Sequence, residues 1–237
     1  MNGAARAPDL RLHTMRGRAA RSFLARRGQM LVDLDAQGRA DLALVRETRA
    51  MAHLLIHDPA ALTLLAWVRS AVRLGGDLAE AGVFMGGSAR LICAAKGQAP
   101  LHLFDVFETL HRDARLGPGE QAVRAYFEEV YAPLDQVREL LSPYPQVHFH
   151  PGLFPGSAEA VVDPRFSFVH LDLDLAAGTA QALEFFYPRL LPGGVLIGDE
   201  YTLAPVRETF AAFFARRSDA YAVMPWGQLV VVKAGAS

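Results

Sequence analysis

The sequence predicts an α/β fold, a doubly wound and mostly parallel sheet preceded by N-terminal helices. Short apolar runs bounded by turn signals alternate with segments of helical period along 237 residues. The stretch from Gly75 to Cys93 reads as a strand, a tight glycine turn and the start of a helix. Several strands end in acids, at the edge where open α/β sheets hold their ligands.

Half of the chain is hydrophobic and its formal net charge is -1, which argues against disorder and against a polyanion-binding surface, so nucleic acid is not expected as a partner. Cys93 is the only cysteine and falls in an apolar helical pattern, leaving no intramolecular disulfide and no cysteine metal cluster. No apolar run is long enough to span a membrane, and no secretory signal is visible at the N-terminus. The Arg- and Ala-rich opening from Ala4 to Arg27 has the composition of a transit peptide, but it reads as a basic helical arm of a cytoplasmic protein. No internal repeat or low-complexity linker is present. The domain expectation is residues 1–74 as a helical arm and cover, and residues 75–237 as the catalytic domain.

Residues 40–57 carry Leu42, Leu44, Val45, Met51, Leu54 and Leu55 at roughly helical spacing. A second helix follows, with Asp58 as N-cap, Pro59 in the first turn and Gly75-Gly76 as its stop. The first strand then carries Glu80 at its carboxyl end. Gly82 supplies a sharp turn, Gly86 and Gly87 leave room for a ligand on the backbone, and Ser88 suits the helix N-cap. The spacing Glu-x-Gly-x-x-x-Gly-Gly lacks the close Gly-x-Gly-x-x-Gly that seats a pyrophosphate, which favours a nucleoside ligand without phosphates. A purely structural strand-to-helix turn is the competing reading.

The second strand, Leu101 to Asp105, ends in an acid able to accept both hydrogens of a ribose diol. Phe107 suits either a purine face or the core. Polar residues from His111 to Gly119 and helical segments over 122–130 and 134–141 form an excursion suited to a lid, followed by a strand over 147–150. Alternation along Phe166 to Asp174 puts Phe168, His170, Asp172 and Asp174 on one side of an extended strand, where carboxylates are costly without partners. A helix over 180–190 leads to a buried strand, Val195 to Tyr201, ending in Asp199 and Glu200. After a helix over 205–216, strands at 221–224 and 228–233 are joined through Pro225-Trp-Gly227 as a hairpin.

With these motifs in place, the chain resembles the class I S-adenosylmethionine-dependent methyltransferases, and within them the macrocin O-methyltransferase family. The resemblance runs from about Gly76 to Lys233, on Asp-Leu-Ala-Glu-Ala-Gly-Val-Phe-Met-Gly-Gly-Ser, Leu-Phe-Asp-Val-Phe-Glu, Pro-Gly-Leu-Phe-Pro-Gly-Ser, Phe-Val-His-Leu-Asp-Leu-Asp-Leu, Glu-Phe-Phe-Tyr-Pro-Arg-Leu-Leu-Pro-Gly-Gly-Val and Asp-Glu-Tyr. It implies a seven-stranded sheet with only the last strand antiparallel. It also implies a magnesium-type divalent ion on Asp172, Asp199 and Glu200, and a homo-oligomer. Two positions depart from the family pattern: Leu175-Ala-Ala-Gly-Thr179 stands where relatives have Leu-Tyr-Glu-Ser-Thr, and the second acid of the Asp-Asp-Tyr motif is Glu200.

The expected activity is therefore transfer of the methyl of S-adenosylmethionine to a hydroxyl of a small natural product, a sugar or a polyphenol. Cofactor contacts are assigned to Glu80, Gly82, Gly86, Gly87, Ser88, Asp105 and Phe107, and proton transfer to Asp172 or a nearby histidine. His170 and His150 are the histidines closest to strand ends, and packing or plain hydrogen bonding is the alternative for each. A metal-independent transferase acting on another nucleophile, and a non-catalytic cofactor-binding protein, are the competing classes.

Overall fold

The computed structural model describes residues 15–29, 32–107, 133–159, 161 and 163–235. The segments expected as a lid and as a helix over 122–130, together with the first part of the basic arm, lie outside the described residues. The chain divides into two compact units, Met1–Ala43 and Leu44–Ser237, with the division inside a helix.

The first unit contains α1 (Met15–Ala25) and the start of α2 (Ala36–Met51). Helix α2 begins four residues before the apolar pattern does, because the Asp35 carboxylate accepts the Gly38 backbone N–H at 2.7 Å and caps the first turn.

The second unit is built on a seven-stranded sheet: β1 (Asp77–Ala81), β2 (Leu101–Asp105), β3 (Val147–Pro151), β4 (Phe166–Leu171), β5 (Leu190–Gly198), β6 (Ala220–Val223) and β7 (Leu229–Val232). Their spatial order is β3-β2-β1-β4-β5-β7-β6, and only β7 runs against the rest. Its helices are α3 (Asp58–Ala71), α4 (Gly87–Ala95), α5 (Leu134–Leu141), α6 (Ala176–Arg189) and α7 (Ala204–Phe214).

Strand alternation sends side chains to two cores. Leu78, Leu101, Leu103, Phe168, Val195 and Ile197 meet α3, α4 and α5 on one face. Ala79, Phe104, Val169, Leu196 and Val231 meet α6 and α7 on the other. Phe166 and Phe168 fall in different cores although they are two residues apart, because the register of β4 shifts between them.

Helix α3 precedes the boundary that the sequence suggests at 74/75. Helix α3 buries Ala61, Leu64, Leu65 and Val68 completely in the core it shares with α4 and the sheet, so it belongs to the sheet domain. Arg90 of α4 is buried and donates to Glu47 at 2.5 Å and to the Thr48 hydroxyl, which fixes the last turns of α2 to the same face.

Three other boundaries differ from the sequence reading. Helix α3 takes His57, not Asp58, as N-cap, with Pro59 in its first turn. Helix α4 takes Gly86 as N-cap at φ 79°, so Ser88 sits inside the first turn. Strand β4 ends at Leu171 and β5 at Gly198, so every acid expected at their tips lies in the loop beyond. Among the described residues no helix is long and apolar enough to cross a membrane.

Candidate functional site at the carboxyl edge of the sheet

The carboxyl ends of β1, β2, β4 and β5 are tied together by backbone bonds beyond the strands. Gly82 N–H donates to Phe104 O at 3.0 Å, Asp172 N–H to Ala81 O at 2.9 Å, and Asp199 N–H to Leu171 O at 2.9 Å. The acids after each strand are thereby brought to one edge. Gly82 has φ 86°, and a Cβ there would overlap the Asp172 carbonyl oxygen, so the turn is restricted to glycine by conformation and by space together.

Gly86 and Gly87 are also needed for packing. A Cβ at Gly86 would lie 3.0 Å from Val137, and one at Gly87 would lie 2.8 Å from the His53 carbonyl oxygen. Both glycines allow close packing of α5 and of the 52–57 segment onto the loop. That segment covers the site: His53 meets the Phe84 ring edge-on at 5.8 Å, and His57 is near enough to Glu200 to act on its charge.

Asp105 is held by the loop it faces. One carboxylate oxygen accepts the N–H groups of Val83 at 2.6 Å and Phe84 at 2.8 Å, and the other accepts Phe107 N–H at 3.0 Å. The first oxygen has both lone-pair sites engaged, and the second, Oδ1, keeps one. Phe107 itself is 3% exposed and packs on Phe149, which places its ring in the core, the second of the two positions open to it.

Glu80 and His170 are opposite each other in the β1–β4 register, and both are fully buried. His170 Nδ1 lies 2.8 Å from Glu80 Oε1 and Nε2 lies 2.9 Å from Asp199 Oδ2. Burial lowers the His170 pKa, but its bonds to Asp199 and Glu80 outweigh that and raise it well above the ordinary value. An imidazolium thus clamps two carboxylates. Both ring nitrogens of His170, expected as a catalytic residue, are engaged by carboxylates. Glu80 Oε2 is buried with no partner, an unsatisfied acceptor that a cationic ligand group would satisfy.

Beyond the clamp, ligand atoms of Asp172, Asp174 and Glu200 lie within 4.8 Å of one another, as do those of His170, Asp172 and Asp199. Asp172 belongs to both groups. Asp174, at the end of the extended strand that the sequence predicts, has φ 58° and joins the acid group with Asp172 and Glu200. Burial and the charges of Asp199 and Asp174 push the Asp172 pKa well up. Burial and Glu200 raise Asp174 to about 7, and burial and Asp199 raise Glu200.

Acids whose folded pKa is raised stabilise the fold below their unfolded pKa and lose that contribution as pH rises through the folded value. Raised His170 has the same sign, whereas His102 and His150, lowered chiefly by burial, titrate below 6.5. Asp174 should therefore cost the chelator-treated protein thermal stability as pH rises from 3.8 to about 7, and His170 should add a further loss above pH 6.5. Magnesium should remove most of that loss, as scanning calorimetry across the window would show. A stability independent of pH in that window would mean that the cluster carries no strain.

The strand order, the glycine turn pinned by an acid of β2, and the acids gathered beyond β4 and β5 are those of the class I methyltransferase fold. The model of the macrocin-O-methyltransferase (TylF) family matches residues 61–223. The chain belongs to that family. It is 31% identical to a mycinamicin III 3''-O-methyltransferase of Micromonospora griseorubida, over 71% of this chain and 75% of that enzyme. It is also 33% identical to the 8-demethyl-8-(2,3-dimethoxy-alpha-L-rhamnosyl)-tetracenomycin-C 4'-O-methyltransferase of Streptomyces olivaceus. That second match spans 56% of each chain, so it covers little more than half of the relative's length. Among solved structures, the O-methyltransferase NovP superposes with a TM-score of 0.63 at 23% identity, covering 73% of this chain and 81% of that one. This is a likeness of fold.

Proposed function

We propose that this protein methylates a hydroxyl of a sugar carried by a small natural product, using S-adenosylmethionine and a divalent cation. The observation that carries the reading is the convergence of Asp172, Asp174, Asp199 and Glu200 beside a buried glutamate with an unused oxygen. Two relatives named for O-methylation, of mycinamicin III and of a rhamnosyl-tetracenomycin, support a glycosylated acceptor.

The donor set suits the ion. Magnesium prefers oxygen ligands and keeps several waters, and the cluster offers carboxylate oxygens within 4.8 Å of one another. Asp172, Asp199 and Glu200, joined by Asp174, would hold the cation, which supplies charge that favours the deprotonated hydroxyl. Glu80 Oε2 would accept an N–H of the ammonium at the cofactor's amino-acid end, and Asp105 would present the remaining lone pair of Oδ1 to the ribose. Gly82, Gly86, Gly87 and Ser88 shape the loop between them, and Phe107 backs it from the core. Asp172 would take the hydroxyl proton as the new O–C bond forms, while the electron pair of the broken C–S bond stays on sulfur. His170 holds Glu80 and Asp199 at fixed separation and so sets the donor end against the acceptor end.

The 52–57 segment covers this edge. Ala176 and Ala177, small where the family pattern has Tyr and Glu, begin α6 next to the acids and leave the acceptor pocket wider and less polar. The reading is tested by incubating the protein with S-adenosylmethionine and a panel of polyketide glycosides, rhamnosides, catechols and simple alcohols, with mass spectrometry for one added methyl. Methylation of glycosides that stops on EDTA treatment and returns with magnesium is expected. Full activity without metal, or transfer to amines alone, would establish the metal-independent class instead.

Cofactor binding has its own check. Asp105→Ala removes any ribose acceptor and also frees three loop N–H groups. Loss of charge-assisted bonds of about 1.5–3 kcal/mol corresponds to a fall in S-adenosylhomocysteine affinity of roughly 10- to 150-fold. Unchanged affinity by calorimetry would move the ribose elsewhere.

A further inference from the structure

A cavity of about 700 Å³ opens at the opposite, amino end of the strands, bordered by Asp77, His102, His148, His150 and Arg165. Alternation puts the three histidines and Asp77 on one face of the sheet, from three adjacent strands. His102 Nδ1 lies 3.0 Å from His150 Nε2, and His102 Nε2 lies 3.3 Å from Asp77 Oδ2. The rings are layered, with His102 5.1 Å from His148 and 5.2 Å from His150. None of these residues belongs to the reaction edge, and the methyl-transfer chemistry does not use them.

We infer that His102, His150 and His148, braced by Asp77, form a binding site for a divalent transition-metal ion of the zinc type. The arrangement has the parts such a site needs. Asp77 engages Nε2 of His102, which fixes the tautomer and leaves the Nδ1 lone pair facing His150; a carboxylate behind a ligating imidazole is the usual support for a metal-bound histidine. Zinc–nitrogen bonds of about 2.0–2.1 Å put two tetrahedral ligands about 3.3 Å apart, so the observed pair needs to open by only a few tenths of an ångström. The ion takes the place of the proton shared between these two nitrogens.

His148 is exposed on the edge strand β3 and reaches the same point by rotating its side chain, while the cavity admits water to the remaining position. Phe104 stacks on the His150 ring at 4.6 Å and holds it in place. The His102 and His150 rings are in the neutral, ligating form at pH 7, since burial lowers His102 and brings His150 down to about 4. Ligands from β1, β2 and β3 would staple the outer edge of the sheet.

The test uses the whole chain, stripped with chelator and then kept in excess magnesium, which competes for the oxygen-rich acid cluster and not for imidazoles. Zinc titrated by calorimetry should bind with a single equivalent at micromolar concentration and raise the melting temperature. Cupric ion should give a paramagnetic resonance spectrum split by at least two nitrogens, whereas the acid cluster can offer only that of His170. His102→Gln and His150→Gln should remove zinc binding and leave methyl transfer unchanged; Asp172→Asn should leave zinc binding intact. The inference is overturned if zinc fails to bind below about millimolar, if copper shows one nitrogen or none, or if binding survives both histidine changes and is lost in Asp172→Asn. The copper spectrum of the unaltered protein decides the matter even if a histidine variant does not fold.

Discussion

Asp172→Asn is expected to lower the turnover number by about 10²- to 10⁴-fold, the range for loss of a positioned proton acceptor. At the same time it should raise the melting temperature of the chelator-treated protein at pH 8. The two effects have one cause. Asp172 stands where both candidate ligand groups overlap, and burial together with Asp199 and Asp174 disfavours its charge. Asparagine keeps the shape and removes that charge, so the cluster relaxes while the proposed proton acceptor and cation ligand are lost. Strain at a functional site characteristically has this signature of stability gained against activity lost. A variant with unchanged turnover would remove Asp172 from the chemistry, and one less stable without metal would show that the acids are not in conflict.

The sequence carried the topology and most of this site because both depend on local order. Glycine spacing marked the turn after β1, and strand-ending acids marked Glu80, Asp105, Asp172, Asp199 and Glu200. The features it did not carry depend on pairing between distant segments. Asp174 joins the cluster because β4 stops at Leu171 and the chain turns back at a positive φ, and nothing in an apolar-polar alternation announces where a strand will end. The role of His170 depends on Glu80 being its register partner in β1 and on Asp199 following β5. The layering of His102 with His148 and His150 likewise comes from the β2–β3 register, which joins residues 46 and 48 positions apart. Ser88 was read as a cap from its residue type, but the left-handed Gly86 starts the helix earlier, a choice fixed by packing against Val137 and Leu140.

Gly82→Ala should lower folding stability by more than about 3 kcal/mol and abolish cofactor binding in whatever protein remains folded. An alanine at φ 86° carries a backbone cost of about 1–2 kcal/mol by itself. The larger part comes from the Asp172 carbonyl oxygen, which is backbone and cannot rotate away. Relief requires the end of β1 to separate from the end of β4, and that movement breaks Asp172 N–H from Ala81 O and draws Glu80 from His170. The loop that Asp105 holds through Val83 and Phe84 would shift with it. Gly97→Ala is the matched control, since Gly97 has φ 60° and open space where its Cβ would go. It should show the backbone cost alone, about 1–2 kcal/mol, in the same urea titration. If Gly82→Ala costs no more than Gly97→Ala, the contact between the β1 turn and the Asp172 backbone is not what holds the two halves of the site together.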